Sequence, residues 1–332
     1  MSYRLDPDIE RVLPLLPLRD PATMTPASAR DALRALAASR SDIPLPEPAS
    51  VAEFAVGGAA GPLPVRLYRP TRRPAPTVVY FHGGGWVAGD LDTHDRQART
   101  LAVEVEAAIL SIDYRRPPET PFPGAFEDAL AATRWAATHI AELGGDPRRI
   151  AVAGDSAGAN LAAAVALACR DGGPDLAAQL LVYPVVDAAG NFRSARENAR
   201  YPSRLENAEG YFLTLETMRW FADHYLARAE DGLDPRVSPL RAGNLSGLPP
   251  TVICTAGFDP LRDEGDAYAK ALQRSGVRVI YSCERTLIHG FFGMGNASPV
   301  AAEAGRRIRA AFKMLLESAN GILLKPAAGA LP

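Results

Sequence analysis

The sequence predicts an α/β fold, an eight-stranded, mostly parallel sheet with helices on both faces. Short apolar runs alternate with longer segments of helical periodicity, and continuously apolar strands are typical of a parallel sheet buried on both faces. Two earlier stretches, Val51–Val56 and Val65–Tyr68, predict an antiparallel pair at the sheet edge because glycine-rich turn residues separate them. A long insertion between Pro184 and Leu248 interrupts the alternation.

The other elements follow in order along the chain. The remaining predicted strands are Thr77–Phe81, Ala107–Ile112, Ile150–Ala153, Gln179–Tyr183, Thr251–Thr255 and Val277–Ser282. The helical patterns lie near 94–105, 124–142, 157–170, 260–275 and 297–317, with another in the insertion at Leu215–Ala229. A further helix near the N-terminus is capped by Thr25 and has Pro26 in its first turn.

The insertion predicts a lid, because it follows the carboxyl end of a strand, where ligands bind in open α/β sheets. We expect the N-terminal helices to complete this lid, and we call the two parts together the cap. The predicted segments are residues 1–48, the N-terminal part of the helical cap; 49–185, the first part of the α/β core; 186–247, the cap insertion; 248–318, the second part of the core; and 319–332, a C-terminal tail.

Composition and charge exclude several classes of partner. The formal net charge is −2 over 332 residues, so no electrostatic field points to nucleic acid or to an anionic membrane. The N-terminus lacks the apolar region of a signal peptide and no apolar run has the length of a membrane span, so we expect a cytoplasmic protein. Histidines, cysteines and carboxylates are not spaced as metal ligands, and we expect no metal site.

A candidate nucleophile lies in the pentapeptide Gly154-Asp155-Ser156-Ala157-Gly158. It directly follows a predicted strand and begins a helix of small residues, which is the context of a nucleophile elbow. In such an elbow the turn is tight enough to need small residues around the serine, and the helix N-terminus favours a developing oxyanion. The flanking strand and helix therefore favour a nucleophilic Ser156 over a glycine turn with an idle serine.

A glycine-rich loop, His82-Gly83-Gly84-Gly85-Trp86, comes just after another predicted strand. Glycines let backbone N–H groups approach an oxyanion without an intervening Cβ. The spacing matches neither the dinucleotide motif nor a phosphate-binding loop. We expect an oxyanion hole formed by the N–H groups of Gly84, Gly85 and Ala157. The expected supporting residues of the two motifs are His82, Gly83 and Asp155.

The acid and base are predicted from their places at strand ends. Of the five histidines, His289 stands after the last predicted strand, on a loop at the same sheet edge as Ser156. Asp259 follows the preceding strand, just before Pro260, where an aspartate also suits a helix N-cap. The order Ser156, Asp259, His289 is the order of the α/β-hydrolase triad. Asp263 lies one turn further and is expected to face away.

Taken together, these segments resemble the hormone-sensitive-lipase-like carboxylesterases, bacterial esterase family IV. The likeness runs from about Val51 to Phe312. The segments that carry it are His82–Trp86, Asp113-Tyr114-Arg115, Gly154–Gly158, Glu206–Thr214, Asp259–Gly265 and His289-Gly290-Phe291. The resemblance implies an α/β-hydrolase fold with a helical cap and hydrolysis of short to medium acyl esters through an acyl-enzyme. It also implies that no metal or organic cofactor is needed, and makes a homodimer through the last strand plausible.

Alternative functions stay open at the level of sequence. An amidase, a lactonase or a formamidase would use the same triad, and the residues do not distinguish these bonds. A catalytically inactive small-molecule binding protein is disfavoured because His289 is present. A lipase for long-chain fats is disfavoured by the charged residues of the insertion. These residues are Arg193, Arg196, Glu197, Arg200, Arg204 and Glu206.

Several apolar and aromatic residues are candidates for the substrate pocket because they fall on segments near the catalytic edge of the sheet. They are Trp86, Tyr183, Tyr211, Phe212, Leu213 and Phe291. Core packing accounts for each of them equally well. The expected partner is therefore a small-molecule ester, whose acyl and alcohol parts the sequence does not specify.

Overall fold

The computed structural model describes residues 3–16 and 20–318. Its sheet has eight strands in the order β1-β2-β4-β3-β5-β6-β7-β8, which confirms the predicted fold class. The strands are β1 (Ser50–Gly58), β2 (Gly61–Arg69), β3 (Ala75–Phe81), β4 (Ala108–Ile112), β5 (Gly145–Asp155), β6 (Ala178–Val182), β7 (Thr251–Phe258) and β8 (Val279–Ile288). The predicted tail at 319–332 lies outside the described residues.

The sheet is antiparallel at one end only. Strand β1 pairs with β2 and β2 with β4 in antiparallel fashion, while every pairing from β4 to β8 is parallel. The carboxyl ends of β3, β5, β7 and β8 therefore meet at one edge of the sheet. Ser156 follows β5 and His289 follows β8 at this edge.

Helices cover both faces of the sheet. They are α1 (Pro7–Val12), α2 (Pro26–Ala38), α3 (Asp95–Val105), α4 (Gly124–His139), α5 (Ala157–Arg170), α6 (Ala195–Asn198), α7 (Ser203–Glu206), α8 (Leu215–Tyr225), α9 (Arg262–Arg274) and α10 (Pro299–Ser318). One hydrophobic core lies between the sheet and α4, α5 and α9, and a second lies between the sheet and α3 and α10. Short alanines on α5, buried along nearly its whole length, allow that helix to lie directly against the strands.

Several predicted boundaries differ from the structure; β5, for example, begins at Gly145 rather than Ile150. The last strand was expected to end at Ser282, but β8 continues to Ile288. Its polar residues still pair with β7, and the buried Glu284 of this edge strand forms an ion pair with Arg307 of α10 at 2.7 Å. Helix α8 ends at Tyr225 rather than Ala229, because Leu226 is extended and the Tyr225 carbonyl accepts a hydrogen bond from Phe122 N.

The insertion is fastened to the core by buried charges. Arg204 of α7 is fully buried and donates to Glu264 Oε2 at 3.0 Å from Nε, while Glu264 Oε1 accepts from Val186 N at 2.8 Å. A buried pair of this kind requires its remaining polar atoms to be hydrogen-bonded, and these contacts do so. Arg204, expected among the charges that make the lid surface polar, is therefore an internal anchor of the insertion.

The N-terminal helix α2 is fastened to the loops at the carboxyl ends of the strands. Arg30 donates to the carbonyl of Val87 at 3.0 Å and to Glu119 at 2.8 Å. Thr25 caps α2 by accepting from Ser28 N at 3.1 Å. Helix α2 thereby lies over the same sheet edge as the insertion. None of the described helices is both long and apolar enough to cross a membrane.

Candidate active site

Ser156 occupies the sharp turn between β5 and α5. Its φ is +55°, a left-handed value that is strained for a residue with a side chain. Glycine is required on both sides: a Cβ at Gly154 would lie 2.3 Å from Gly158 C, and a Cβ at Gly158 would lie 1.9 Å from Phe81 O. The Ser156 N–H donates to Val182 O of β6 at 2.8 Å, which fixes the turn. The local sequence thus places the hydroxyl above the sheet.

His289 joins Ser156 to Asp259. Its Nε2 lies 2.9 Å from Ser156 Oγ, and its Nδ1 lies 2.7 Å from Asp259 Oδ2. Asp259 is fully buried, and its other oxygen, Oδ1, accepts from Leu261 N at 2.9 Å. Tyr183 covers the imidazole, with ring centroids 4.5 Å apart. The three side chains are therefore arranged as a nucleophile, Ser156, a base, His289, and an acid that orients the base, Asp259.

Asp263, the nearby alternative acid, lies elsewhere. Its Oδ2 accepts from Ser203 N at 2.7 Å, in the insertion. Asn207 of the insertion donates to the carbonyl of Asp259 at 3.2 Å, and Ser203 Oγ donates to that of Pro260 at 2.8 Å. The insertion therefore holds the loop that presents Asp259.

The glycine loop after β3 forms the wall opposite the base. Gly84 (φ +117°) and Gly85 (φ +60°) both take left-handed backbone conformations and line the same cavity as Ser156. A Cβ at Gly84 would lie 2.2 Å from Ala88 O, so the loop can fold this tightly only with glycine. Ala157, the first residue of α5, has an N–H without an intrahelical partner, as all first-turn residues do.

Asp155 supports this loop from below. It accepts hydrogen bonds from Tyr80 Oη at 2.6 Å and from Gly83 N at 3.1 Å. Burial raises the pKa of Asp155, but the nearby His94 imidazole and the Tyr80 hydrogen bond outweigh burial, and its pKa lies below the usual value. The ionised carboxylate thus holds the start of the loop next to the nucleophile.

His82 is a structural member of the loop. Its ring stacks on Tyr114 with centroids 4.2 Å apart, and its Nδ1 lies 2.8 Å from Gly83 O. Burial lowers its pKa to about 3, so the ring stays neutral at neutral pH. Neither His82 nor Gly83 lines the cavity, whereas Asp155 does.

Trp86 ties the loop to the insertion. Its indole stacks on Tyr225 of α8 with centroids 4.3 Å apart, and its Nε1 donates to Asn160 Oδ1 at 3.3 Å. Asn160 in turn donates to the carbonyls of Val185 and Val237 at 2.9 and 2.7 Å. Asn160 was not among the predicted site residues, because its three hydrogen-bond partners are distant in the sequence and a single sequence offers no signal for such contacts.

A cavity opens above Ser156 between α2, the insertion and the glycine loop. Four of the predicted pocket residues line it: Trp86, Tyr183, Phe212 and Leu213. Two do not. Tyr211 turns outward against Phe258, with centroids 5.0 Å apart, and Phe291 is fully buried behind Tyr183 at 5.4 Å. Both segments pass the cavity, but these side chains point to the opposite side of their backbone.

Other lining residues were not predicted. Helix α2 contributes an apolar stripe that includes Leu33 and Leu36. Phe221 of α8 lies so close to Gly85 that a Cβ there would approach its ring to 2.3 Å. Further unpredicted lining residues with polar or large side chains include Met24, Arg40, His94, Gln97, Thr217 and Met218.

Among the described residues no group of three or more histidines, cysteines, aspartates and glutamates is arranged to hold a metal ion. The thiols are Cys169 and Cys254, which are buried, and Cys283, which is partly buried. Burial raises the pKa of all three, so none is a reactive thiolate.

A protein-family model described as α/β-hydrolase fold matches residues 78–293, about two thirds of the chain. The chain belongs to the α/β-hydrolase family. The matched range includes the glycine loop, the elbow, Asp259 and His289. The family resemblance predicted from the sequence is therefore confirmed.

Curated relatives and solved structures extend this assignment. This α/β-hydrolase is 41% identical to the esterase LipI of Mycobacterium tuberculosis over 94% of this chain and 95% of that protein. It is 43% identical to the carboxylesterase NlhH of the same organism over 94% and 98% of the two chains. An esterase structure from Pyrobaculum calidifontis superposes with a TM-score of 0.84 at 37% identity, covering 94% of this chain and 99% of that one.

Proposed function

We propose that this protein is a serine carboxylesterase that hydrolyses small-molecule esters of short to medium acyl chains. The observation that carries the proposal is a pair of hydrogen bonds made by His289. Its Nε2 lies 2.9 Å from Ser156 Oγ, and its Nδ1 lies 2.7 Å from Oδ2 of the buried Asp259. The curated relatives named as esterases support the same reaction class. An intact base also speaks against an inactive binding protein.

In the proposed mechanism Ser156 Oγ attacks the ester carbonyl while His289 Nε2 takes its proton. The tetrahedral oxygen is stabilised by the N–H groups of Gly84, Gly85 and Ala157, which need no reorganisation because the loop and the helix start are already folded. His289 then returns the proton to the leaving alcohol, and the acyl-enzyme remains on Ser156. Water attacks this ester with His289 again as the base, and the carboxylic acid leaves.

Asp259 keeps His289 in the working tautomer. Since its carboxylate can only accept, Nδ1 must carry the proton and Nε2 is left free to receive the one from Ser156. The same carboxylate stabilises the imidazolium that forms. Asp155, His82 and Gly83 act in this proposal by holding the loop that presents Gly84 and Gly85.

The cavity supports the acyl-length preference. Its walls are apolar, from Leu33 and Leu36 of α2 to Leu213 and Met218 of the insertion. Phe221 closes the space beside Gly85. A short acyl chain would be buried by these side chains, whereas a long one would have to pass them.

We expect the protein to hydrolyse p-nitrophenyl butyrate with a kcat/KM about a hundredfold above that for the palmitate ester. Release of p-nitrophenol measures both rates. Phe221→Ala should shift the preference towards octanoate or decanoate, because it opens the wall beside Gly85. Thr217→Ala, on the same helix and also at the cavity, is the matched control and should leave the preference unchanged. Equal rates on butyrate and palmitate would contradict the proposed acyl pocket.

We infer that segments 1–48 and 186–247 work together as the cap, since α2 and α8 both line the cavity. A homodimer through β8 is supported by the position of this strand at the end of the sheet; the molar mass of the purified protein in solution tests it. A cytoplasmic location stays a prediction from the sequence.

A further inference from the structure

Arg40 brings a positive charge to a cavity that is otherwise mostly apolar. It follows the end of α2 and lines the cavity together with Ser156 and His289. Its Nη1 donates to the carbonyl of Gly293 at 3.0 Å. Within the described part of the chain no carboxylate forms an ion pair with Arg40, and the Gly293 carbonyl is the only acceptor of its side chain. A half-buried guanidinium in this state has unused donors.

Two arginines of α2, the helix that precedes Arg40, show the contrast. Arg30 forms a two-point ion pair with Glu119, at 2.8 and 2.6 Å. Arg34 pairs with Asp90 at 2.8 Å. Every aspartate and glutamate of the chain lies within the described residues. Loops outside α2 therefore supply a counter-charge to Arg30 and Arg34, whereas none of the described carboxylates pairs with Arg40.

The surroundings of Arg40 add positive charge. Arg96 of α3 packs beside it and donates to the carbonyls of Ile43 and Pro44 at 2.6 and 2.9 Å, which leaves the charge of Arg96 uncompensated as well. Burial and the nearby Arg96 lower the pKa of Arg40, whereas the Glu119 hydrogen bond raises that of Arg30. A nearby anion would relieve this repulsion.

A second donor converges on the same place. Gln97 also lines the cavity, and Gly293 lies between the two side chains: a Cβ at Gly293 would be 3.0 Å from Gln97 Nε2 and 3.7 Å from Arg40 Nη1. The other titratable groups on the cavity wall are His94, Asp155, Tyr183 and His289. Asp155 is held by Tyr80 and Gly83 beneath the glycine loop, so its carboxylate is already occupied.

The position of Arg40 relative to the base indicates which part of a substrate it faces. His289 Nε2 must reach the leaving oxygen, so the alcohol part lies next to His289. The segment that continues from His289 lines the cavity through Gly290, Gly293 and Met294, and Arg40 is hydrogen-bonded to this segment. Phe221 and Gly85 belong to the other wall.

We propose that Arg40, with Gln97, forms an anion subsite that selects esters whose alcohol part carries a carboxylate. This inference rests on the proposed esterase function and deepens it, since it names a substrate class. A carboxylate would bind the planar guanidinium through its unused N–H groups, which is a geometry that arginine favours over a neutral ester.

The test compares 4-(butyryloxy)benzoate with its neutral methyl ester, which share the acyl group. We expect Arg40→Gln to lower the ratio of kcat/KM for the anionic to the neutral ester about tenfold, mainly through KM. Arg40→Lys should keep part of the ratio. Arg34→Gln, on the preceding helix α2 and paired with Asp90 outside the cavity, should keep all of it. A purely structural role for Arg40 would change both esters alike.

Three further results would decide against the subsite. The first is an unchanged ratio of kcat/KM for the anionic to the neutral ester in Arg40→Gln. The second is a fall in this ratio only for substrates that carry the carboxylate in the acyl part. The third is an equal dependence of kcat/KM on salt for the two esters in the wild-type protein. The salt experiment needs no variant, since only the anionic ester should lose kcat/KM as ionic strength rises. Turnover of the neutral ester by all variants would show that the esterase function stands even where the subsite fails. No turnover of either ester would instead remove the proposed function.

Discussion

Ser156→Ala should abolish turnover of p-nitrophenyl butyrate, with kcat falling by about 10⁵-fold or more. The loss is expected to be this large because the hydroxyl is the atom that forms the acyl-enzyme, and neither His289 nor the oxyanion hole can replace it. What remains should be the small rate that binding and oxyanion stabilisation give to attack by water. The rate of p-nitrophenol release measures the effect, and circular dichroism shows whether the variant is folded.

Ser246→Ala is the matched control for this substitution. Ser246 is exposed on a turn before β7 and takes no part in the cavity, so its loss should leave kcat unchanged. A fluorophosphonate gives a second measurement: the wild-type protein should gain one covalent adduct in its intact mass, and Ser156→Ala should gain none. A folded Ser156→Ala protein with wild-type activity would remove Ser156 from the mechanism.

The sequence was sufficient to predict those parts of the site that depend on a few consecutive residues or on the order of the strands. The elbow around Ser156 is a strand, a tight turn and a helix within a few residues, and the need for glycine at 154 and 158 follows from the backbone alone. The place of His289 was predicted from the order of the strands, although β8 proved longer than expected. Its polar stretch around Glu284 resembles a loop until its pairing with β7 and Arg307 is known.

Side-chain direction and non-local pairing could not be predicted. Tyr211 is the neighbour of Phe212 in the insertion and Phe291 is two residues from His289, yet of these three aromatic residues only Phe212 reaches the cavity. Arg204 resembles the exposed arginines of the insertion, and only its partner Glu264, sixty positions away, makes it a buried anchor. These outcomes depend on contacts between distant parts of the chain, which periodicity and spacing do not encode.

The hydrogen bonds of Asp259 allow its control of the His289 tautomer to be distinguished from the effect of its negative charge alone. Its two oxygens face different donors: Oδ1 accepts from Leu261 N at 2.9 Å, and Oδ2 lies 2.7 Å from His289 Nδ1. In Asp259→Asn the amide oxygen will face the Leu261 N–H, because the NH₂ group cannot accept there. The NH₂ group must then face Nδ1 and donate to it, which moves the imidazole proton to Nε2.

Asp259→Asn is therefore expected to lower kcat by about 10⁴-fold while leaving the fold intact, since Nε2 then carries a proton and cannot take the one from Ser156. Hydrolysis of p-nitrophenyl butyrate from pH 6 to 10 measures this, and part of the activity should return at high pH, where hydroxide can remove the serine proton. Asp263→Asn is the matched control: this carboxylate is four residues away, accepts from Ser203 N and does not contact His289, so kcat should stay within a fewfold of wild type. The reverse result, a large loss with Asp263→Asn and none with Asp259→Asn, would reassign the acid, because only a group bonded to Nδ1 controls which imidazole nitrogen is free.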